Sequence, residues 1–203
     1  MNRSICSVLF ALCIASTLAV LTIGCGSKEE PAYFPKPKGF NRINLPAQTY
    51  QSLPAEYPYS FEFSTAAVIL PDTFAMAEKY WIFLYYPRFN ANIQLTYKPV
   101  MNSTQRLGGY IEDAYKLAVK HQIRASALQE QRLTTKTGKT VTLFKIEGEV
   151  PSPFQFYVTD STTHYLRGAI YFPTATKNDS LAPIIEFMQR DALHLLNTLQ
   201  WRN

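Results

Sequence analysis

Cysteine is scarce in this sequence and confined to one end of the chain. The 203-residue protein has three cysteines, Cys6, Cys13 and Cys25, and none follows the last of them. The rest of the chain therefore has no thiol for a disulfide, a cysteine metal cluster or a nucleophile. A domain built from those residues must be stabilised by its hydrophobic core alone.

Common catalytic and nucleotide-binding motifs are also missing. The sequence contains no GxGxxG, GxxxxGK[ST] or GxSxG string, which are the signatures of dinucleotide-binding, P-loop and α/β-hydrolase proteins. Its histidines, His121, His164 and His194, lie far apart, and no two have the i, i+4 spacing of metal ligands. We therefore expect no catalytic residues, no metal, no cofactor and no enzymatic activity.

The composition indicates a folded domain that does not bind nucleic acid. The net charge of +5 is a mild excess, and the basic residues are dispersed along the chain rather than clustered. Hydrophobic residues make up 47% of the sequence, including 13 tyrosines and 13 phenylalanines. That content is too high for a disordered chain and is enough for one sizeable core.

The first 24 residues have the layout of a bacterial export signal. Arg3 gives a short basic start, residues 5–24 are uncharged and mostly apolar, and polar residues follow Ser27. An uncleaved transmembrane anchor is the alternative for a run of this length. The small residue Gly24 before Cys25 favours cleavage, because the stretch that ends at Cys25 resembles a lipobox. At a lipobox, signal peptidase II cuts before a cysteine that carries diacylglycerol. We predict cleavage between Gly24 and Cys25, with Cys25 acylated, by palmitate for example, and anchored in the bilayer.

The remaining chain divides into a tether and a single domain. Residues 25–40 follow the signal peptide (1–24) and contain Pro31, Pro35 and Pro37 among charged residues, which is typical of an extended linker. Residues 41–203 are of a size for one globular domain. We expect the linker to hold this domain away from the membrane surface.

Hydrophobic periodicity predicts an α+β fold for residues 41–203. Two apolar stripes at helical spacing indicate helices, one capped by Asn102 or Ser103 and one capped by Asp179 or Ser180. Gly108 and Gly109 fall early in the first helix and indicate either close packing or a later start. Runs typical of strands are 59–70, 79–86, 92–98, 124–135, 141–150, 153–160 and 164–173.

This element order predicts an antiparallel sheet of about six to seven strands with two main helices packed on it. The segments 79–86 and 92–98 are expected to form a hairpin, and the last three strands a meander. The order of elements is similar to that of the Mog1/PsbP-like sandwich. A likeness at this level indicates a fold and carries no function.

Two groups of polar residues invite a catalytic interpretation that local chemistry disfavours. Asp160, Ser161 and His164 are the residue types of a hydrolase triad, but one short turn without a glycine elbow cannot easily align them. An Asx turn that closes a hairpin is the better interpretation. Glu112 is placed to pair with Lys116 on a solvated helix face rather than to share a site with its neighbour Asp113.

Aromatic clusters leave a binding function open. Those at 33–34, 57–63 and 81–86 can bind a glycan or a peptide, although period-two aromatic runs more often form half-buried sheet. The shape of the domain discriminates between the two functions. A cavity lined by tyrosine and tryptophan with convergent polar groups favours a binding protein, whereas a flat, extended apolar surface favours an assembly role.

The chain resembles the gliding-motility lipoprotein D (GldD) family of Bacteroidetes along nearly its whole mature length. The matching stretches are PKPKGFNRINLP (35–46), YPYSFEF (57–63), YPRFNANIQLTYK (86–98), YIEDAYKLAVKHQI (110–123), PSPFQFYVTDSTTHYLRGAIYF (151–172) and NDSLAPIIEFMQRDALHLLNTLQW (178–201). The resemblance implies a membrane-anchored envelope protein needed for gliding and linked to the type IX secretion machinery. It implies no catalytic residues.

Two further expectations hold if the protein comes from a Bacteroidetes cell. Asp160-Ser161-Thr162 and Asp179-Ser180-Leu181 resemble periplasmic O-glycosylation sites of that phylum, which makes Ser161 and Ser180 candidate glycosylation sites. Lys28-Glu29-Glu30 resembles an acidic surface-export tag but is displaced from its usual place after the cysteine. We therefore expect the protein to face the periplasm from the outer membrane, with other gliding and type IX secretion envelope proteins as partners.

Overall fold

Seven strands form one antiparallel sheet, which is the centre of the domain. The structure, a computed structural model, describes residues 42–120, 124–173 and 178–202. The helices within these ranges are α1 (Thr104–Val119) and α2 (Asn178–Thr198). The strands are β1 (Tyr50–Ser52), β2 (Tyr59–Ser60), β3 (Glu62–Ser64), β4 (Val68–Pro71), β5 (Ile82–Tyr86), β6 (Ala91–Pro99), β7 (Ala125–Thr134), β8 (Thr140–Gly148), β9 (Phe154–Thr159), β10 (His164–Tyr171) and β11 (Gln200–Trp201).

The order of strands in the main sheet is β4-β5-β6-β10-β9-β8-β7, and every neighbouring pair is antiparallel. The predicted hairpin of β5 and β6 and the predicted meander of β8, β9 and β10 are both present. The segment 124–135 also forms a strand, β7, at one edge. The predicted α+β class, with about seven antiparallel strands and two main helices, is confirmed.

The prediction of one strand over 59–70 is wrong. That segment forms three short strands with different partners: β2 pairs with β11, β3 with β1, and β4 with β5 at the edge of the main sheet. The chain turns between β3 and β4, where the Ala67 amide donates to the Ser64 carbonyl at 3.0 Å. Alternation of apolar residues predicts an extended backbone, but it does not reveal where the chain changes direction.

The two helices cover opposite faces of the sheet. Alternate residues of β8, β9 and β10 point to each side, so that each of these strands contributes to two separate clusters. On one side, Phe144, Ile146, Tyr157 and Tyr165 pack with Ala114 and Ala118 of α1. On the other side the larger core joins α2 to the sheet and to β2 and β3. Burial on both faces explains why β9 and β10 contain so few exposed residues.

The predicted helix caps have different outcomes. Ser103 caps α1 as predicted, with its hydroxyl accepting from the Arg106 amide at 3.2 Å. The second helix begins at Asn178, so that Asp179 and Ser180 lie in its first turn and the predicted cap position there is wrong. The strong apolar stripe of α2 predicted that a helix forms here. It does not predict where the helix begins, because helix ends depend on local hydrogen bonds.

Gly108 and Gly109 lie inside α1 rather than before it, so the expected later start is not observed. Both are exposed, and a Cβ at either position would have no neighbouring heavy atom within 4 Å. Close packing therefore does not require them. We expect Gly109→Ala to stabilise the domain by about 0.5–1 kcal/mol, because alanine loses less backbone entropy in a helix. Thermal or urea unfolding measures this gain, and a destabilised variant would contradict it.

Neither α1 nor α2 is long and apolar enough to cross a membrane, and the described residues contain no other helix with that property.

Candidate functional site

The predicted lipidation site lies outside the described residues. Gly24, Cys25 and the tether over 25–40 all fall in the segment before residue 42. Cleavage before Cys25, its acylation and the division of the chain at residue 40 therefore stay predictions. His121 and the aromatic pair at 33–34 also fall outside the described ranges.

The turn between β9 and β10 has the chemistry of an Asx turn, as predicted. One carboxylate oxygen of Asp160, Oδ1, accepts from the backbone amides of Thr162, Thr163 and His164 at 2.8–3.0 Å. Because these bonds favour the charged form, the pKa of Asp160 is lowered despite the opposing effect of its partial burial. Ser161 is exposed at the tip with a φ of 68°. The carboxylate therefore holds the turn and does not orient a histidine.

His164 is buried beside two aromatic rings. Its Nδ1 lies 2.9 Å from the hydroxyl of Tyr97, and its ring stacks on Trp201 with centroids 5.0 Å apart. Burial lowers the pKa of His164, and the charge of Asp160 only partly opposes this effect. The ring is therefore neutral at physiological pH and sits in a packed aromatic environment. It has no hydrogen bond to Ser161 among the described contacts, so the triad interpretation has no geometric support.

The predicted pair of α1 and the pair formed by His194 are surface contacts. Glu112 and Lys116 form the predicted i, i+4 ion pair at 2.8 Å, with both side chains exposed. His194 lies 2.8 Å from Glu62 and stacks on Tyr50 with centroids 3.5 Å apart. Among the described residues, no three His, Cys, Asp or Glu side chains come together in a way that can hold a metal ion.

The candidate glycosylation sites have different surroundings. Ser161 is exposed at the tip of the β9–β10 turn, and Ser180 is partly buried in the first turn of α2. Exposure is what the structure shows of these two positions, and it does not test whether either carries a sugar. Glycosylation at both therefore stays a prediction, and accessibility alone makes Ser161 the easier substrate for a transferase.

Most of the predicted aromatic clusters belong to the core. Tyr59, Phe61 and Phe63 are buried on the α2 side, and Tyr86 of β5 is buried with them. The Tyr59 ring lies 5.7 Å from that of Phe61 and 5.6 Å from that of Tyr97, centroid to centroid, and the Tyr86 ring lies 6.5 Å from that of Phe187. The interpretation of these runs as half-buried sheet is therefore confirmed. The four buried rings are not available to a ligand, whereas Trp81 of the 81–86 run lines a groove on the other face.

A groove lies on the opposite face, between α1, the strands β6 and β10, and the segment that joins β4 to β5. It has a volume of about 490 Å³ and combines aromatic rings with charged and amide side chains. The helix covers β9 and β10 but leaves the polar residues of β6 open beside it. Its lining is Phe74, Trp81, Gln94, Thr96, Lys98, Tyr110, Asp113, Ala114, Lys116, Leu117, Tyr165, Arg167 and Tyr171.

Lys98 organises one wall of this groove. Its Nζ pairs with Glu78 at 2.6 Å and lies 5.2 Å from the centre of the Trp81 ring and 5.3 Å from that of Tyr110. The Trp81 indole N–H donates to the Tyr97 carbonyl at 2.8 Å, which fixes the plane of the ring. The charge of this lysine is therefore already partnered, and the two aromatic faces beside it are partly covered.

Arg167 lies at the floor of the groove and is 6% exposed. Its Nη2 donates to Gln155 Oε1 at 2.6 Å, and no ion pair joins it to a carboxylate among the described residues. The Gln155 amide nitrogen is itself buried without a hydrogen-bond partner there. Burial of a charged group with so few partners is costly, which distinguishes Arg167 from the exposed basic residues of the domain.

A second cavity, of about 630 Å³, lies between the end of β8 and α2. Its described lining includes Glu147, Glu149, Glu186 and Lys145 but no aromatic ring. It therefore lacks the combination of tyrosine or tryptophan and converging polar groups that indicates a binding site. The groove beside α1 has that combination.

Sequence reasoning missed Arg167, Gln155 and the polar face of β6. The signal was present in β6, where Gln94, Thr96 and Lys98 alternate with the apolar residues of the core face. Such alternation is normally interpreted as a solvated face. Only the position of α1 beside it turns these residues into the wall of a groove.

Comparisons with known proteins found a similar solved structure and a matching family. The solution structure of cyanobacterial PsbP (CyanoP) from Synechocystis sp. PCC 6803 is similar to this chain with a TM-score of 0.45 and 9% identity. That match covers 79% of this chain and 97% of the cyanobacterial one. No curated protein matches the sequence.

The model of one protein family, described as gliding motility lipoprotein GldD, matches residues 30–201. This range includes every described strand and helix. The expected resemblance is confirmed, and with it an envelope protein anchored to a membrane and concerned with gliding. The chain belongs to the gliding motility lipoprotein GldD family.

Proposed function

We propose that this protein is a non-catalytic assembly component of the gliding apparatus, linked to the type IX secretion machinery. The observation that supports this role is the family match, which extends over 30–201 and thus over the whole described domain. The polar residues that invited a catalytic interpretation from the sequence act instead as a turn at Asp160, a packed ring at His164 and a surface ion pair at Glu112. The domain then works by holding partners near a membrane.

Lipid anchoring at Cys25 is the second part of the proposal. Each CH₂ group of an acyl chain that enters the bilayer adds about 0.8 kcal/mol to the free energy of binding. One acyl chain therefore holds a protein only marginally, whereas two or three chains anchor it durably. A tether over 25–40 would then allow the domain to reach partners in the periplasm from the outer membrane. Those partners are other envelope proteins of the gliding and secretion machinery.

A second candidate function is recognition of a ligand, a glycan or a peptide. The observation that favours it is the groove beside α1, where Trp81, Tyr110 and Tyr165 lie with Arg167 and Gln94. This combination meets the criterion for a binding protein, whereas the criterion for the assembly role was a flat apolar surface. The two functions are compatible if the ligand is a segment of the partner.

The anchor is tested by replacing Cys25. We expect Cys25→Ser to remain uncleaved, since no acylated cysteine is present for signal peptidase II. The protein would then stay in the inner membrane through its apolar leader, which spans about 20 residues. We expect loss of colony spreading and loss of partners in crosslinking and pull-down from native membranes. The mass of the N-terminal peptide shows whether the leader was cleaved, and fractionation shows which membrane holds the protein.

Cys13→Ser is the matched control for this experiment. It removes a cysteine from the leader and should leave cleavage, lipid attachment and spreading unchanged. If Cys25→Ser still reached the outer membrane, recovered the same partners and supported spreading, the anchored role would be wrong.

A further inference from the structure

We propose that the groove between α1 and β6 binds a carboxylate of a peptide segment from a partner protein, and that Arg167 holds it. This proposal rests on the ligand-binding function above and names its chemistry. The occupant is an extended segment with an acidic residue next to an apolar one. Three features of the groove support this assignment. Arg167 has unused hydrogen-bond donors, the other cations already pair with carboxylates, and the faces of the aromatic rings are partly covered.

Arg167 has spare capacity for an anion. A guanidinium group has five N–H donors in a planar fork that fits a carboxylate with two parallel hydrogen bonds. Among the described residues only Gln155 accepts from it. A buried arginine usually has a carboxylate partner, because isolated burial of the charge is unfavourable. A ligand carboxylate that enters the groove would supply that partner.

The other cations of the groove already have carboxylate partners. Lys98 pairs with Glu78 at 2.6 Å, and Lys116 pairs with Glu112 at 2.8 Å. Asp113 also lines the groove, but it is exposed on α1, where solvent screens its charge. Arg167 is therefore the lining residue whose charge is both buried and uncompensated within the described part of the chain.

The aromatic rings favour a peptide over a glycan. A sugar stacks on an open ring face, but Lys98 lies over the faces of Trp81 and Tyr110, and Tyr165 is buried. The apolar groups that remain open are at the rim, where Phe74 is 67% exposed and Leu117 is also exposed. An apolar side chain next to the acidic residue of the ligand would pack there.

Two acetylated and amidated tripeptides, Phe-Glu-Phe and Phe-Gln-Phe, test the proposal. They are titrated to millimolar concentration into the ¹⁵N-labelled lipidated full chain in detergent micelles. The Arg167 Nε–H and Trp81 indole N–H signals report on the groove. We expect Phe-Glu-Phe to shift both signals and to bind about tenfold more tightly than Phe-Gln-Phe, since charge-assisted hydrogen bonds are the stronger ones.

Variants then identify the residue. Arg167→Gln is expected to remove the preference for glutamate, and Arg167→Lys to retain part of it, because lysine keeps the charge without the fork. Arg132→Gln, at an exposed arginine of β7, is the matched control and should bind as the unchanged protein does. If Arg167→Gln does not fold, the ratio between the two peptides in the unchanged protein still decides.

Several results would overturn the proposal. These are equal binding of the two peptides, no shift with either, or full preference for glutamate in Arg167→Gln. Tighter binding of trigalacturonate than of Phe-Glu-Phe would assign the groove to an acidic glycan instead. None of these outcomes alters the result for Cys25→Ser in cells, so that failure here and failure of the anchored role remain distinguishable.

Discussion

Gly168→Ala is expected to destabilise the domain by about 3 kcal/mol, which is a large effect for one methyl group. Gly168 of β10 pairs with Phe156 of β9, and the Phe156 ring lies across it. A Cβ at position 168 would fall deep inside van der Waals contact with that ring. Phe156 is buried in the larger core and has no free space to enter, so the ring or both strands must move. Urea unfolding measures the loss.

Two comparisons separate this clash from a general effect of alanine. Gly109→Ala is the matched control, because the same substitution there meets open space and is expected to stabilise. Phe156→Ala alone should cost about 3–5 kcal/mol through the cavity it leaves. In the double variant the two costs should not add, since removal of the ring also removes the clash. Additive costs, or a neutral Gly168→Ala, would show that the ring and the glycine are independent.

The sequence predicted the parts of the fold that repeat a simple pattern. The stripe of α2 and the alternation in β5, β6 and β8 each continue over several turns or residues, so their periodicity identifies them. The split of 59–70 into three strands was not predictable in this way. β2, β3 and β4 are short, and each pairs with a different strand: β2 with the last strand β11, β3 with the earlier strand β1, and β4 with the following strand β5. Alternation within so short a strand does not indicate which partner it takes.

The candidate site was harder to predict than the fold, for a related reason. Arg167 lies in the middle of a buried strand, and its environment depends on Gln155 in the neighbouring strand β9 and on α1, which lines the same groove. A single arginine in such a strand is equally consistent with a bulge or an exposed edge. The Asx turn at Asp160, by contrast, was predicted correctly, because its hydrogen bonds join residues only two to four positions apart.

The buried carboxylate of Asp191 is the second position where a large effect is expected. Asp191 is 2% exposed in α2 and accepts from Tyr86 at 3.0 Å and from Tyr50 and Gln48 at 3.3 Å. It therefore connects the second helix to β5 and to the start of the described chain. Asp191→Ala leaves these donors without an acceptor, and the Tyr86 side chain is itself buried. We expect a loss of about 2–3 kcal/mol in urea unfolding.

Asp191→Asn should behave differently, because the amide keeps one acceptor oxygen and never ionises. Burial raises the pKa of Asp191 above its usual value of 3.8, although the hydrogen bonds from Tyr86 and its other donors oppose that shift. The folded state then binds this proton more tightly than the unfolded state. The resulting stabilisation is complete below pH 3.8 and is lost as the pH rises through the folded-state pKa.

The difference in unfolding free energy between the unchanged protein and Asp191→Asn should therefore shrink, and then favour the variant, as the pH rises from acid to neutral. Urea unfolding of both proteins across that range measures it. Glu186→Gln, at an exposed carboxylate on the same helix, is the control for the removal of one carboxylate from α2. A difference that instead grew in favour of the unchanged protein toward neutral pH would mean that the hydrogen bonds from Tyr86, Tyr50 and Gln48 outweigh burial. Asp191 would then stabilise the fold as an anion.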